Sequence, residues 1–294
     1  PNNEPYFNLT INDIPQISDN TVRDGTTGDS FEFNVTVIDY IDSGAQLTVN
    51  VSWSHNGSSA NQTLTNTAGD FFTGTVTLGH NTNNMTYRVW VNDSSGNPSN
   101  SILYSVNVTD NDKAVISDII QTNPTTGSTF NFTCNVTDNI AVSNVYLNYY
   151  FTGAWITESM SYNSTSGNYY YNITVPIDAT TLNYNITAKD SSNNWNETGA
   201  QTLSVTDDDA PTISLDNSDN AGNTGDSFDF NITVVDNVDT AGLLTVKVNW
   251  SHNGTTTNYT LTNSVGNYFT GAVTLGHSIS NMTYTIYVND SSSN

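Results

Sequence analysis

The strongest constraint on this chain is that it repeats itself. Shifted by 197 positions, residues 28–97 lie over residues 225–294 without a gap, and 43 of the 70 pairs are identical. Both stretches read G-D-S-F, W-S-H-N-G, F-T-G, L-G-H and N-M-T-Y in that order. A diverged copy lies between them, registered by Phe130, Phe132 and Val136 against Phe31, Phe33 and Val37. Acidic joints, V-T-D-N-D at 108–112 and V-T-D-D-D-A-P at 205–211, separate the copies. The unit is therefore about 98 residues long and occurs three times, and any fold for the chain must be a fold for that unit.

Each unit reads as all-β. In S-F-E-F-N-V-T-V, Phe31, Phe33, Val35 and Val37 alternate with Glu32, Asn34 and Thr36, the period of two that marks a half-buried strand. The same alternation recurs at Val49, Val51 and Trp53, at Val246, Val248 and Trp250, and at Tyr87, Val89 and Val91. Asn56-Gly57 and Asn253-Gly254 supply the positive φ that a tight hairpin requires. No useful length of chain carries helical periodicity. About seven short strands per copy, separated by Gly, Asn and Ser turns, predict a two-sheet sandwich.

A Trp on the third strand and a Tyr opening the sixth (Tyr87, Tyr184, Tyr284), followed by N-D-S-S-G-N or K-D-S-S-N-N, resemble the immunoglobulin-like superfold. The joint D-D-D-A-P-T-I-S is similar to linkers of tandem immunoglobulin-like repeats on prokaryotic cell-surface and filament glycoproteins. The resemblance implies three tandem β-sandwich domains, at 13–112, 113–209 and 210–294. It specifies architecture and not activity. One departure is plain: Cys134 has no partner cysteine, so the inter-sheet disulfide of antibody domains is absent. Cys134 takes the inward place of Val35 and Ile232 and reads as a small buried hydrophobe.

The two ends of the chain complement each other. Copy one runs on into S-I-L-Y-S-V-N-V-T-D-N-D, its expected seventh strand, whereas copy three stops at Asn294, the counterpart of Asn97. Residues 1–12 precede copy one and align with that seventh strand, Asn8 on Asn107 and, just beyond, Asp13 on Asp112. The expectation is an incomplete third sandwich and an orphan strand built on Tyr6, Phe7, Leu9 and Ile11. Such a strand would close the third sandwich of the next unit, either on another chain, giving a head-to-tail homopolymer, or as one period of a longer covalent array. A contact of this kind that does not close on itself makes a filament. Opening at Pro1 rather than Met, the chain is expected to be a processed or excised piece.

Composition says how such a molecule would meet water. Only 11% of residues are charged, with Lys+Arg 5 against Asp+Glu 28, a net charge of −23. No basic cluster exists to neutralise phosphates, so nucleic acid is excluded as a partner. No apolar run approaches a membrane span, so this segment is expected not to insert in a bilayer. The polar surface is instead amide and hydroxyl, with 45 Asn and 77 Ser+Thr. Twenty N-x-[S/T] sequons occur, where chance would give about 12, at Asn8, Asn34, Asn50, Asn56, Asn61, Asn84, Asn92, Asn107, Asn131, Asn135, Asn163, Asn172, Asn185, Asn196, Asn231, Asn249, Asn253, Asn258, Asn281 and Asn289. In F-N-V-T the acceptor Asn34 and its Thr36 share the outward face, which suits covalent N-glycans.

Sites for chemistry are few. His55, His80, His252 and His277 lie in matching loops of the outer copies and are missing from the middle one, which favours turn packing over catalysis. The tyrosines 149, 150, 169, 170 and 171 read as core and cross-strand packing, with a sugar-stacking face as the alternative. No nucleophile elbow, zinc helix, phosphate loop or paired-carboxylate motif is present, so no enzyme is expected and no cofactor is required. Asp13, Asp110, Asp112, Asp207, Asp208 and Asp209 gather at the joints, where a structural Ca²⁺ is the ion they would hold. The sequence thus predicts an extracellular, glycan-coated structural fibre unit, with the stalk of a cell-surface adhesin as the alternative.

Overall fold

A computed structural model describes residues 13–120 and 122–294. Among these residues, apart from two 3₁₀ turns, Gly44–Gln46 and Ala241–Leu243, every regular element is a β-strand. Among the described residues no helix is long and apolar enough to cross a membrane. The strands form six sheets, in three successive pairs that follow the three copies.

The first copy shows the scheme in full. Its strands are β1 (Gln16–Asp19), β2 (Asp24–Thr26), β3 (Ser30–Ile38), β4 (Thr48–His55), β5 (Ser58–Thr63), β6 (Thr65–Ala68), β7 (Phe71–Thr77), β8 (Met85–Asn92), β9 (Pro98–Asn100) and β10 (Tyr104–Thr109). One sheet runs β1-β3-β7-β6 and the other β2-β10-β8-β4-β5, with β9 also on β8. The first stretch of chain changes sheets between Asp19 and Asp24, so that β2 pairs parallel with the last strand, β10. This is the strand order of an immunoglobulin-like sandwich.

Alternation fixes which face each strand buries. In β3, Phe33, Val35 and Val37 are fully buried while Glu32 and Ile38 face solvent. Phe33 meets Tyr87 of the opposite sheet at a ring-centroid distance of 5.1 Å, which makes the two sheets one core. Each such side chain contributes about 1.5–3 kcal/mol by leaving water. The β4–β5 hairpin turns at Asn56 (φ 51°) and Gly57 (φ 77°), and its third-copy twin at Asn253 (φ 52°) and Gly254 (φ 75°), as the Asn-Gly pairs require.

In the middle copy Phe130, Phe132 and Tyr184 repeat the aromatic core, with Phe132 and Tyr184 5.0 Å apart. Cys134 is fully buried, as its inward position demands, and burial pushes its thiol up to about 12. It is held as a protonated, unreactive thiol at neutral pH.

By its contacts the chain divides into two compact units. One holds residues 13–116 together with Val136–Asn144 and Ala188–Asn196. The other holds Ser117–Asn135, Val145–Thr187 and Glu197–Asn294. The division runs through the middle copy rather than between copies, because in the first unit the loops near 139 and 194 hydrogen-bond the acidic joint that ends β10. Asn139 Nδ2 donates to Asp110 and Asp112, and Asn194 Nδ2 donates to their backbone carbonyls.

Candidate functional site

The third copy departs from the first at one sheet. Its first sheet is four strands, Thr212–Asp216, Ser227–Val235, Tyr268–Thr274 and Thr262–Val265, matching β1-β3-β7-β6. The second has three strands among the described residues, Thr255–Thr260, Thr245–His252 and Thr283–Asn289, and so lacks counterparts of β10 and β2. Thr283–Asn289 is therefore an edge, although its counterpart β8 is central.

The effect on burial is direct. Met85, Tyr87, Val89 and Val91 are sealed in the first copy, at 0–1% exposure. Their counterparts Met282, Tyr284, Ile286 and Val288 are only half-buried. In the first copy Val106 and Val108 of β10 cover this ground. In the third, a groove of about 990 Å³ stands there, lined by Asp216, the 218–224 segment, Phe228, Leu275 and residues 278–284. Ile279 on its wall is 99% exposed.

Polar anchoring persists at the edge. Tyr284 Oη donates to Asp216 Oδ2 at 2.7 Å, as Tyr87 donates to Asp19 at 2.6 Å. Burial and then this hydrogen bond raise the Tyr284 phenol above its ordinary value. Burial alone would raise the Asp216 carboxyl, but donors from Ser218 and Tyr284 hold it below the usual carboxylate value. In the first copy Arg23 ties Asp19 at 2.9 Å and lies 4.0 Å over the Tyr104 ring; Asn220 stands at its place in the third. The orphan-strand residues Tyr6, Phe7, Leu9 and Ile11, and the sequon at Asn8, lie outside the described residues.

The joint aspartates do not act as one group. Asp13 accepts from the Tyr40 amide, and the Asp208 amide donates to the Thr126 hydroxyl. Asp112 accepts from Thr27, Asn139 and the His80 ring, and Asp209 from Thr126 and Asn237. Only Asp110 and Asp207 of the sequence-derived set enter carboxylate trios, each with two aspartates that the joint motif does not contain. Asp110 meets Asp138 and Asp190, and Asp207 meets Asp236 and Asp290, with one oxygen of each within 4.8 Å of the others. Burial would raise the Asp110 carboxyl, yet hydrogen bonds from Asn139 and Thr27 keep it below the ordinary value. Asp190 and Asp290 head the D-S-S-x-N turns, and Asp138 and Asp236 close the second strands of their copies. Those repeating positions were the available signal.

Two of the four histidines pack turns, while His80 and His277 are exposed. His55 and His252 are buried, and their Nδ1 atoms accept the Gly79 and Gly276 amides at 3.0 Å. Tyr169 meets Tyr162 in a tilted pair with ring centroids 5.1 Å apart, and Tyr150 meets Trp155 edge to face at 4.6 Å. Of the nineteen sequon asparagines among the described residues, twelve are exposed. Asn34, Asn50, Asn135, Asn185, Asn196, Asn231 and Asn249 are half-buried, and the Asn196 amide donates to the Ala114 carbonyl.

No family model and no curated protein matches the chain. Solved structures similar to it include a tetra-tandem repeat in the extending region of a large adhesion protein, at 18% identity and TM-score 0.39 over 95% of this chain and 71% of that one. An ICAM-5 D1–D4 ectodomain fragment matches at 11% identity and TM-score 0.38, over 88% and 74% of the two chains. Titin domains A168–A170 match at 9% identity and TM-score 0.38, over 94% and 92%.

Proposed function

We propose that this chain is the structural repeat of an extracellular, N-glycosylated fibre or stalk. Residues 13–112, 113–209 and 210–294 act as three immunoglobulin-like domains in series, and the third is closed by a strand equivalent to residues 5–12 of the next unit. The observation that carries this reading is the bare edge Thr283–Asn289 beside its groove, at the place β10 fills in the first copy. An unpaired edge next to a half-open core is a template for one extended segment with alternating apolar side chains.

The first copy supplies the register. Tyr104 pairs with Tyr87 and Val106 with Met85, while Asn107 pairs with Asp24 in parallel. Transferred to the third copy, Pro5 falls opposite Tyr284, Phe7 opposite Met282 and Asn8 opposite Ala221. Phe7 and Leu9 then enter the core where Val106 and Val108 lie. The next unit is a second copy of this repeat, on a separate chain or further along the same polypeptide.

Deleting residues 1–12 separates the two sources. If strands pass between chains, the intact protein forms head-to-tail oligomers in size-exclusion chromatography and negative-stain images, and the deletion variant is monomeric. Monomers from both proteins would place the donor strand on a continuous polypeptide. Oligomers of undiminished length from the deletion variant would overturn inter-chain strand insertion.

A coat of glycans accounts for a surface with so few charges, since carbohydrate keeps it in water and shields its flanks. Intact mass of the native protein is expected to drop by several glycans on deglycosylation. A drop corresponding to fewer than two would remove this part of the proposal.

A further inference from the structure

The two carboxylate trios share features that a solvated acidic patch lacks. Asp207 is 7% exposed and Asp110 9%, and in each the Oδ2 atom is buried without a hydrogen-bond partner. Asp138 and Asp236 repeat the pattern. Oδ1 of Asp138 accepts the amides of Ile140 and Ala141, and Oδ1 of Asp236 those of Val238 and Asp239. Their Oδ2 atoms are again buried and without partners. The third members are fixed by their own turns: Asp190 takes the Ser192 and Asn194 amides, and Asp290 the Asn294 amide. In the first trio the buried Asn139 Oδ1 adds a further oxygen without a donor. Among the described residues, none of the six aspartates makes an ion pair with a Lys or Arg.

Each trio therefore brings three negative oxygens to one point, with their other lone pairs already used to hold them in place. Buried carboxylates without partners are costly, and like charges this close repel. One ligand relieves both terms at once, a hard divalent cation, because oxygen donors without His or Cys suit Ca²⁺ and not a soft metal. We infer that Asp110, Asp138 and Asp190, with the Asn139 side-chain oxygen, form one Ca²⁺ site, and that Asp207, Asp236 and Asp290 form a second. Water completes the shell of 6–8 oxygens that Ca²⁺ takes. Copy one provides the contrast: Asp39 and Asp93 match Asp138 and Asp190, but Ile11 stands in the sequence where Asp110 stands. Among the described residues, two such trios occur.

The test is equilibrium dialysis of the full chain against ⁴⁵Ca²⁺ at fixed ionic strength, with calorimetric titration of Ca²⁺ and of Mg²⁺. Two Ca²⁺ are expected per chain. Asp138→Asn and Asp236→Asn each lower the count by one, and Asp39→Asn leaves it at two. Both variants keep the β-sheet circular dichroism and, without metal, unfold no earlier than the parent, because each removes one charge from a repelling trio. Addition of Ca²⁺ raises the parent's melting temperature by more than it raises that of either variant. No binding up to 10 mM Ca²⁺, or a count unchanged in both Asp138→Asn and Asp236→Asn, overturns the inference. The readout is independent of residues 1–12, so failure here and failure of strand insertion are distinguishable.

Discussion

Appending a second copy of residues 1–13 after Asn294 is expected to raise the unfolding midpoint of the third copy by on the order of 10 °C. The spacing follows from the repeat. Asn294 matches Asn97 and Pro5 matches Tyr104, so six positions lie between them. Residues 1–4 of the appended copy fill four, and a Gly-Ser spacer fills the other two. The added strand buries Phe7 and Leu9 and reseals Met282 and Tyr284. At ~1.5–3 kcal/mol per side chain, sealing three or four of them gains on the order of 5–10 kcal/mol before ordering costs. Ordering the strand cancels much of that. Even a net ~2 kcal/mol moves the midpoint of a domain this size by about 8–16 °C. The control carries Phe7→Ser and Leu9→Ser in the appended copy alone, which keeps the length and removes the apolar side chains. Calorimetry should show the shift with the native strand and none with the control. Equal midpoints for all three proteins would mean that the groove does not accept this strand.

Much of the architecture was legible because local and global signals agree. Period-two alternation in S-F-E-F-N-V-T-V named the buried residues of β3 one by one, and its repetition in three copies named the sheets. The carboxylate trios were half legible. The acidic joints stand out as runs, so Asp110 and Asp207 were noticed, and with them Asp112, Asp208 and Asp209, which serve as hydrogen-bond partners instead. Asp138 and Asp190 lie 28 and 80 residues beyond Asp110. They reach it only because the ends of β-strands in a sandwich gather loops from distant parts of the chain, and no spacing rule states which loops meet. Charge runs mark where acid is dense; burial decides which acids lack a partner. Likewise, alternation placed Asn34 and Asn231 on outer faces but could not show how far neighbouring side chains cover them.

Replacing Phe33 and Phe230 by alanine tests the two cores against each other. The residues are counterparts, 0% and 1% exposed, and each packs on the tyrosine opening the sixth strand, Tyr87 at 5.1 Å and Tyr284 at 5.2 Å. Phe33→Ala leaves a cavity in a sandwich sealed on all sides, where neighbours relax little, and is expected to cost about 3–5 kcal/mol. Phe230→Ala empties the same position beside a half-buried wall, where Met282 has room to shift toward the space. Its cost is expected to fall below the lower end of that range. In the chain carrying the appended strand the third core is sealed, and Phe230→Ala should then cost as much as Phe33→Ala. Denaturant unfolding of the parent, its two variants, the extended chain and the extended chain with Phe230→Ala, followed by tryptophan fluorescence, measures the difference. If the copies unfold as separate domains, each substitution lowers one transition and leaves the others in place. Equal losses in the unextended chain would show the third core to be as closed as the first. An edge that costs nothing to leave open would have no reason to recruit a strand.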